Sequence, residues 1–198
     1  MNRAISDIKA ALDRAGSASS DFDLNPGSVL DANRKLRPAA VLVPLIERDT
    51  GLSVILTKRS SRLKHHPGQI AFPGGKVEES DDGVIDAALR EAEEEIALPR
   101  DAVEPLGALA THETVTSFIV HPIVAAVPPD LPLVPEEREV DEIFEVPLGE
   151  VSDPAKFSVQ YRMWRGQRRN YYTVPYGPYY IWGATARILR GLADRLEA

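Results

Sequence analysis

Three glutamates, Glu91, Glu94 and Glu95, stand in the segment GGKVEESDDGVIDAALREAEEEIAL, residues 74–98. At about 100° per residue of a helix they fall within roughly a 100° arc. Like charges at this spacing repel by about a few tenths of a kcal/mol per pair, and partial burial raises that figure. A divalent cation turns the repulsion into affinity. Oxygen-only ligation suits Mg²⁺ or Mn²⁺, which favour carboxylate, water and phosphate. A solvated acidic face is the other reading of such a run. Arg90 precedes Glu94 by one helical turn and is placed to pair with it, fixing a ligand carboxylate. Glu93 points away from the arc and reads as solvated. Ile85, Leu89, Ala92 and Ile96 form the neighbouring apolar stripe.

The elements that must hold this arc follow from punctuation and periodicity. The helix is predicted over 84–98, with Asp81 and Asp82 as N-cap candidates and Pro99 as its stop. Upstream, 39–46 and 52–57 read as strands joined by the turn ERDTG, then 70–72 as a short apolar segment before the turn Pro73-Gly74-Gly75. Downstream, 103–110 and 118–127 read as strands, 128–135 as a proline-rich extended loop and 136–144 as a short helical turn. Residues 157–164 and 170–174 read as a hairpin around RGQRR, and 184–196 as a closing amphipathic helix. The N-terminus predicts a short helix with Ile5, Ile8, Leu12 and Ala15 on one face, then a loop over 16–36. Residues 1–36 are thus expected to form an appendage and 37–198 the main domain. Strands and helices mix without strict alternation, which predicts an α+β fold or a layered α/β/α sandwich.

The chain has 198 residues with 30 acidic against 23 basic side chains, a net charge of −7, and no cysteine. That balance argues against nucleic-acid or anionic-membrane binding. Zero cysteine removes disulfides, thiolate metal sites and cysteine nucleophiles, and fits a reducing, cytoplasmic setting. Neither a P-loop nor a G-x-S-x-G or G-x-G-x-x-G motif occurs. A phosphate ligand therefore needs a metal or a local basic group. Lys58, Arg59, Arg62, Lys64, His65 and His66 supply such a cluster just before the acidic segment. Tyr171, Tyr172, Tyr176, Tyr179, Tyr180 and Trp182 crowd one later region and read mainly as packing. Arg162, Arg165, Arg168 and Arg169 read as decoration of the hairpin.

Gly75, Asp81, Arg90, Glu91, Ala92, Glu94, Glu95 and Leu98 resemble a Nudix box. Asp81 replaces the usual glutamate, one extra residue precedes Arg90, and Ala97 replaces the usual glycine. Leu56-Thr57-Lys58-Arg59-Ser60 and the run from Leu63 through His66, Pro67, Gly68, Gln69 and Ile70 to Gly75 resemble the signature of the coenzyme A pyrophosphatase branch. Tyr180 to Ala186 resembles its closing helix. The resemblance covers roughly residues 38–192. It implies a Nudix-like sandwich with a mixed central sheet and a catalytic loop-helix-loop, and metal-dependent hydrolysis of the coenzyme A pyrophosphate to 3′,5′-ADP and 4′-phosphopantetheine. Another nucleoside diphosphate derivative, such as ADP-ribose, and a non-catalytic nucleotide-binding domain are the alternatives. It implies Glu91, Glu94 and Glu95 as ligands of Mg²⁺ or Mn²⁺, with a carbonyl of Gly74 or Gly75. The base is left between Glu94, Glu95 and Glu139, the last in EEREVDEIFEVPL. Arg59, Lys64, His66 and Gln69 are the expected substrate-binding residues. The expected partner is a small nucleotide, bound by a monomer or homodimer.

Overall fold

The computed structural model describes residues 3–28, 33–164 and 166–197. Helix α1 (Arg3–Leu12) opens the chain, followed by the two-residue strand β1 (Ser19–Ser20). The hairpin β2 (Arg37–Arg48) and β3 (Gly51–Arg59) leads to β4 (Ile70–Ala71), β5 (Gly74–Lys76) and helix α2 (Val84–Ile96). Then come β6 (Glu104–Ala108), β7 (His112–Glu113), β8 (Phe118–Val127), β9 (Val140–Pro147) and the short α3 (Leu148–Val151). A separate hairpin, β10 (Ser158–Trp164) with β11 (Gln167–Thr173), precedes α4 (Gly183–Glu197).

Strands β1 to β9 form one mixed sheet, with β2 paired in parallel to β8 and antiparallel to β3 and β5. Its central strand is apolar on both faces because both are covered. Ala39, Val43 and Leu45 enter one core with α1, α4 and the base of the β10–β11 hairpin. Ala40, Leu42 and Ile46 enter a second core under α2. The period-2 alternation of β2 thus serves two layers of helix, giving the α/β/α sandwich. The N-terminal helix buries Ile8 and Leu12 in the first of these cores. Among the described residues no helix is long and apolar enough to cross a membrane.

Several local expectations are corrected. The segment 136–144 makes a single turn, closed by Val140 N–H on the Glu136 carbonyl at 2.8 Å, and from Val140 onward it is strand β9, which pairs antiparallel with β3. Val140, Phe144 and Val146 are buried there, and that alternation outweighs the acidic residues between them. Neither Asp81 nor Asp82 caps α2. The cap residue is Gly83, with no side-chain bond, and Asp81 is drawn instead to Arg90. The buried stripe of α2 is also rotated: Ile85 is 47 % exposed, while Ala87, Ala88, Ala92, Glu95 and Ile96 are buried. Small alanines let the helix lie close to β2 and β5. Within the predicted loop 16–36, Ser19–Ser20 joins the sheet by pairing parallel with His112–Glu113, and residues 29–32 lie outside the described residues. The same holds for Arg165 of the hairpin turn.

Helix α2 stops at Ile96, short of Pro99, because Ala97 turns left-handed with φ 54° and ψ 33°, its N–H donating to the Glu93 carbonyl at 3.0 Å and the Leu98 N–H to the Ala92 carbonyl at 3.4 Å. An L-residue pays about 1–2 kcal/mol in this region, which glycine avoids. Ala97→Gly is expected to stabilise the fold by about 1 kcal/mol, raising the melting temperature by roughly 2–4 °C. Thermal unfolding of the two proteins measures it directly.

Candidate active site

The site is built where β3, β5, α2 and the loop before β9 converge. Gly75 lies on β5 beside Ala40, and a Cβ there would run into the Glu91 carboxylate. Gly74, at φ 154°, is pressed against the carbonyl of Ala40 and Val41. The two glycines therefore let the sheet edge and the helix approach without a side chain between them.

Arg90 organises the first turns of the acidic face. Its Nε and Nη2 donate to Asp81 at 2.8 and 3.0 Å, and Nη1 donates to both Glu91 and Glu94 at 3.1 Å. Nη2 also donates to the carbonyl of Lys76 at 3.0 Å, tying β5 to α2. The bonds from Arg90 hold the Asp81 carboxyl down at about 2, helped by the Glu78 N–H at 2.7 Å. Asp81 raises the Arg90 guanidinium in turn, keeping it charged under all working conditions. A carboxyl with a depressed value stabilises the fold above its ordinary value near 4, and that contribution is lost as pH falls through about 2. Asp81→Asn is therefore expected to lower the melting temperature at pH 6. The deficit shrinks below pH 4 and vanishes near pH 2, as thermal melts across that range report.

Glu95 is different. It is 4 % exposed and sits on the buried face of α2. One oxygen accepts a long 3.4 Å bond from Gly74 N–H, and the other lies 4.0 Å from Arg59 Nη1. Burial pushes its carboxyl up to about 8, Arg59 opposes this, and the charges of Glu91 and Glu139 add to it. Glu91 is raised in the same sense, first by burial, with Arg90 opposing and Glu94 and Glu139 adding. Glu139 thus bears on both. Its loop is docked by Glu136 N–H on the Glu95 carbonyl at 2.9 Å and by Ser60 N–H on the Glu139 carbonyl at 2.8 Å. The β3–β9 ladder slips register at Lys58 and Arg59, a bulge of the kind that re-aims a side chain.

The charge of Glu139 acts on both Glu91 and Glu95, while Arg90 holds Glu91 and the exposed Glu94 alike at 3.1 Å. Among the described residues no three carboxylates or histidines close into a ready-made metal cluster. The donor chemistry still fits a hard divalent cation: every candidate ligand is oxygen, and Glu95 is a buried carboxylate whose charged form lacks a close cation. Glu93, expected to be solvated, instead pairs with Arg100 at 2.8 Å.

Two cavities share a wall, and the first reaches this point at Gly74 and Arg59. One, of about 280 Å³, is lined by Gly74, Arg59, His66, Gln69, Tyr171 and Trp182 among others. The second, of about 600 Å³, carries Lys58, His66, Gln69 and Glu142. Lys64 is exposed and lines neither. Burial and then the charge of Arg59 hold the His66 imidazolium below its ordinary value. Asp21 forms part of the first cavity's wall. Burial works to raise its carboxyl, but His112 at 3.3 Å and the Val115 N–H at 2.8 Å outweigh it and keep it ionised. The fully buried His112 also meets the Ser19 hydroxyl at 3.0 Å, anchoring the N-terminal segment to β7. No sequence motif marked this network, because its members are about ninety residues apart.

The solved Nudix hydrolase RenU from M. smegmatis superposes with a TM-score of 0.51 at 21% identity, covering 62% of this chain and 83% of that one. That likeness establishes the fold. A family model for the NUDIX domain matches residues 35–165. Two relatives named Uncharacterized Nudix hydrolase NudL, from Escherichia coli O7:K1 (strain IAI39 / ExPEC) and Enterobacter sp. (strain 638), are each 44% identical over 157 residues. Each alignment covers 79% of this chain and 81% of the relative. The chain belongs to the Nudix family.

Proposed function

We propose that this Nudix hydrolase cleaves the pyrophosphate of coenzyme A and its derivatives, releasing 3′,5′-ADP and 4′-phosphopantetheine. The broader class, hydrolysis of a nucleoside diphosphate derivative, follows from the family. The observation that carries the narrower reading is positional. The segment resembling the coenzyme A branch, Leu56 to Gly75, supplies Arg59, His66, Gln69 and Gly74 to the cavity that reaches the contacts of Glu95, and Lys58, His66 and Gln69 to the cavity next to it. Their basic groups offset the net charge of −7 where an anionic substrate must enter.

In this reading Glu91, Glu94, Glu95 and the Gly75 carbonyl hold Mg²⁺ or Mn²⁺. The bound cation supplies electrostatic stabilisation of charge building on the phosphate oxygens. Arg59 binds a non-bridging phosphate oxygen from the side opposite the helix, its fork suited to phosphate. Arg90 positions Glu91 and Glu94 and does not itself touch substrate. Water adds to one phosphorus, the bridging P–O bond breaks, and the other phosphate leaves with the bond's electrons. Glu139 takes the proton from the water. It is exposed, its charge acts on Glu91 and Glu95, and its carboxylate makes no bond with a described residue. Glu94 and Glu95 are the other groups within the site that are able to serve as base.

The test is comparative turnover of coenzyme A, ADP-ribose and diadenosine polyphosphates with Mg²⁺ or Mn²⁺. A kcat/KM highest for coenzyme A supports the reading. Faster turnover of ADP-ribose retains the hydrolase and overturns the substrate.

A further inference from the structure

The pairing of β10 with β11 sets Arg162 opposite Arg169 and Gln160 opposite Tyr171. Cross-strand partners, and alternate residues along a strand, share a face. Arg162, Arg169 and Tyr171 accordingly line the first cavity, while Val159, Tyr161 and Met163 are exposed on the other face. Arg162 is therefore not hairpin decoration. Its guanidinium lies 4.5 Å from the centre of the Trp182 ring, and Trp182 tilts against Tyr171 at 5.1 Å. Such a stack orders the arginine while leaving its N–H groups free.

The two cavities share His66, Gln69, Arg162 and Trp182. The first reaches Gly74 and Arg59 beside Glu95; the second extends away from them toward Lys58 and Pro178. Carboxylates on these walls are already engaged. Asp21 is held by His112 and Val115, and Glu142 accepts from the Tyr179 hydroxyl at 2.5 Å. Arg162 makes no hydrogen bond or ion pair with a described residue. The residues common to the two cavities thus include two basic groups and no carboxylate.

We propose that Arg162, ordered against Trp182 with His66 beside it, is a specificity-determining residue that binds a second phosphate of the substrate, remote from the pyrophosphate. The preferred substrate class is then a nucleoside diphosphate derivative carrying an additional phosphate monoester. The proposal rests on the placement of the pyrophosphate beside Glu95.

The test is calorimetric binding of 3′,5′-ADP and 5′-AMP, without turnover, to the wild type, Arg162→Ala and Arg162→Lys. The wild type is expected to bind the bisphosphate about 10–100-fold more tightly, the size of a charge-assisted phosphate contact. Arg162→Ala removes that difference, and Arg162→Lys, which keeps the charge but loses the fork and stack, gives an intermediate ratio. The kcat/KM ratio of coenzyme A to dephospho-coenzyme A falls in parallel, through KM. No preference in the wild type, or a preference that survives in Arg162→Ala, overturns the proposal. The two readings fail separately. Loss of the binding preference in Arg162→Ala with no coenzyme A turnover keeps the phosphate site and sinks the substrate. Turnover of coenzyme A with an unmoved ratio does the reverse.

Discussion

Glu95→Gln is expected to cut kcat/KM by roughly 10³-fold without lowering the melting temperature, in line with the loss of one preorganised charge at a phosphoryl-transfer site. Two features separate activity from stability here. Glu95 is 4 % exposed, and among the described residues its side chain accepts only from Gly74 N–H, at 3.4 Å. Its charged form is a burden on the metal-free fold, because desolvation is only weakly answered by Arg59 at 4.0 Å. Glutamine keeps the acceptor for Gly74 and carries no charge to desolvate. Melts in EDTA and kinetics with Mg²⁺ report the two effects. Glu93→Gln is the control. Its partner is Arg100, outside the cavities, so turnover is expected to stay within about twofold, as for ordinary surface changes. Full activity in Glu95→Gln removes this residue from the chemistry.

Arg90→Ala produces the largest expected loss of stability, about 3–5 kcal/mol, the range for deleting the shared partner of shielded charges. The Asp81 side chain is 1% exposed and that of Arg90 12%, so water replaces few of the lost bonds. Three carboxylates and the Lys76 carbonyl are released at once. Arg90→Lys keeps the charge but cannot reproduce the fork on Asp81, and recovers only part of the loss. Urea unfolding of both variants measures this. A loss under about 1 kcal/mol for Arg90→Ala, the level of an exposed pair, contradicts the role given to it.

Reading the chain before its fold succeeded where one signal dominated. The apolar runs of β2 and β8 and the helical period of α2 survive folding because the two strands are covered on both faces and the helix buries one. It failed where tertiary contacts decided. Asp81 has the right spacing for a cap, yet a guanidinium nine residues away outbids the helix N–H groups. The acidic run at 136–142 obscured a strand that exists because β3 offers an edge to it. The grouping of Glu91, Glu94 and Glu95 was legible from angle alone. Their separation was not, since Arg90 draws Glu91 and Glu94 one way while burial turns Glu95 toward Gly74. Arg162 was hidden for a simpler reason: its face of β10 shows only once the hairpin's register and its seat over the cavities are known.

Product analysis tests the central claim most directly. Coenzyme A is incubated with the protein and Mg²⁺, and the products are resolved by chromatography. Equal amounts of 3′,5′-ADP and 4′-phosphopantetheine, absent with EDTA and with Glu95→Gln, are the predicted result. Intact coenzyme A, or dephospho-coenzyme A with free phosphate, contradicts the account.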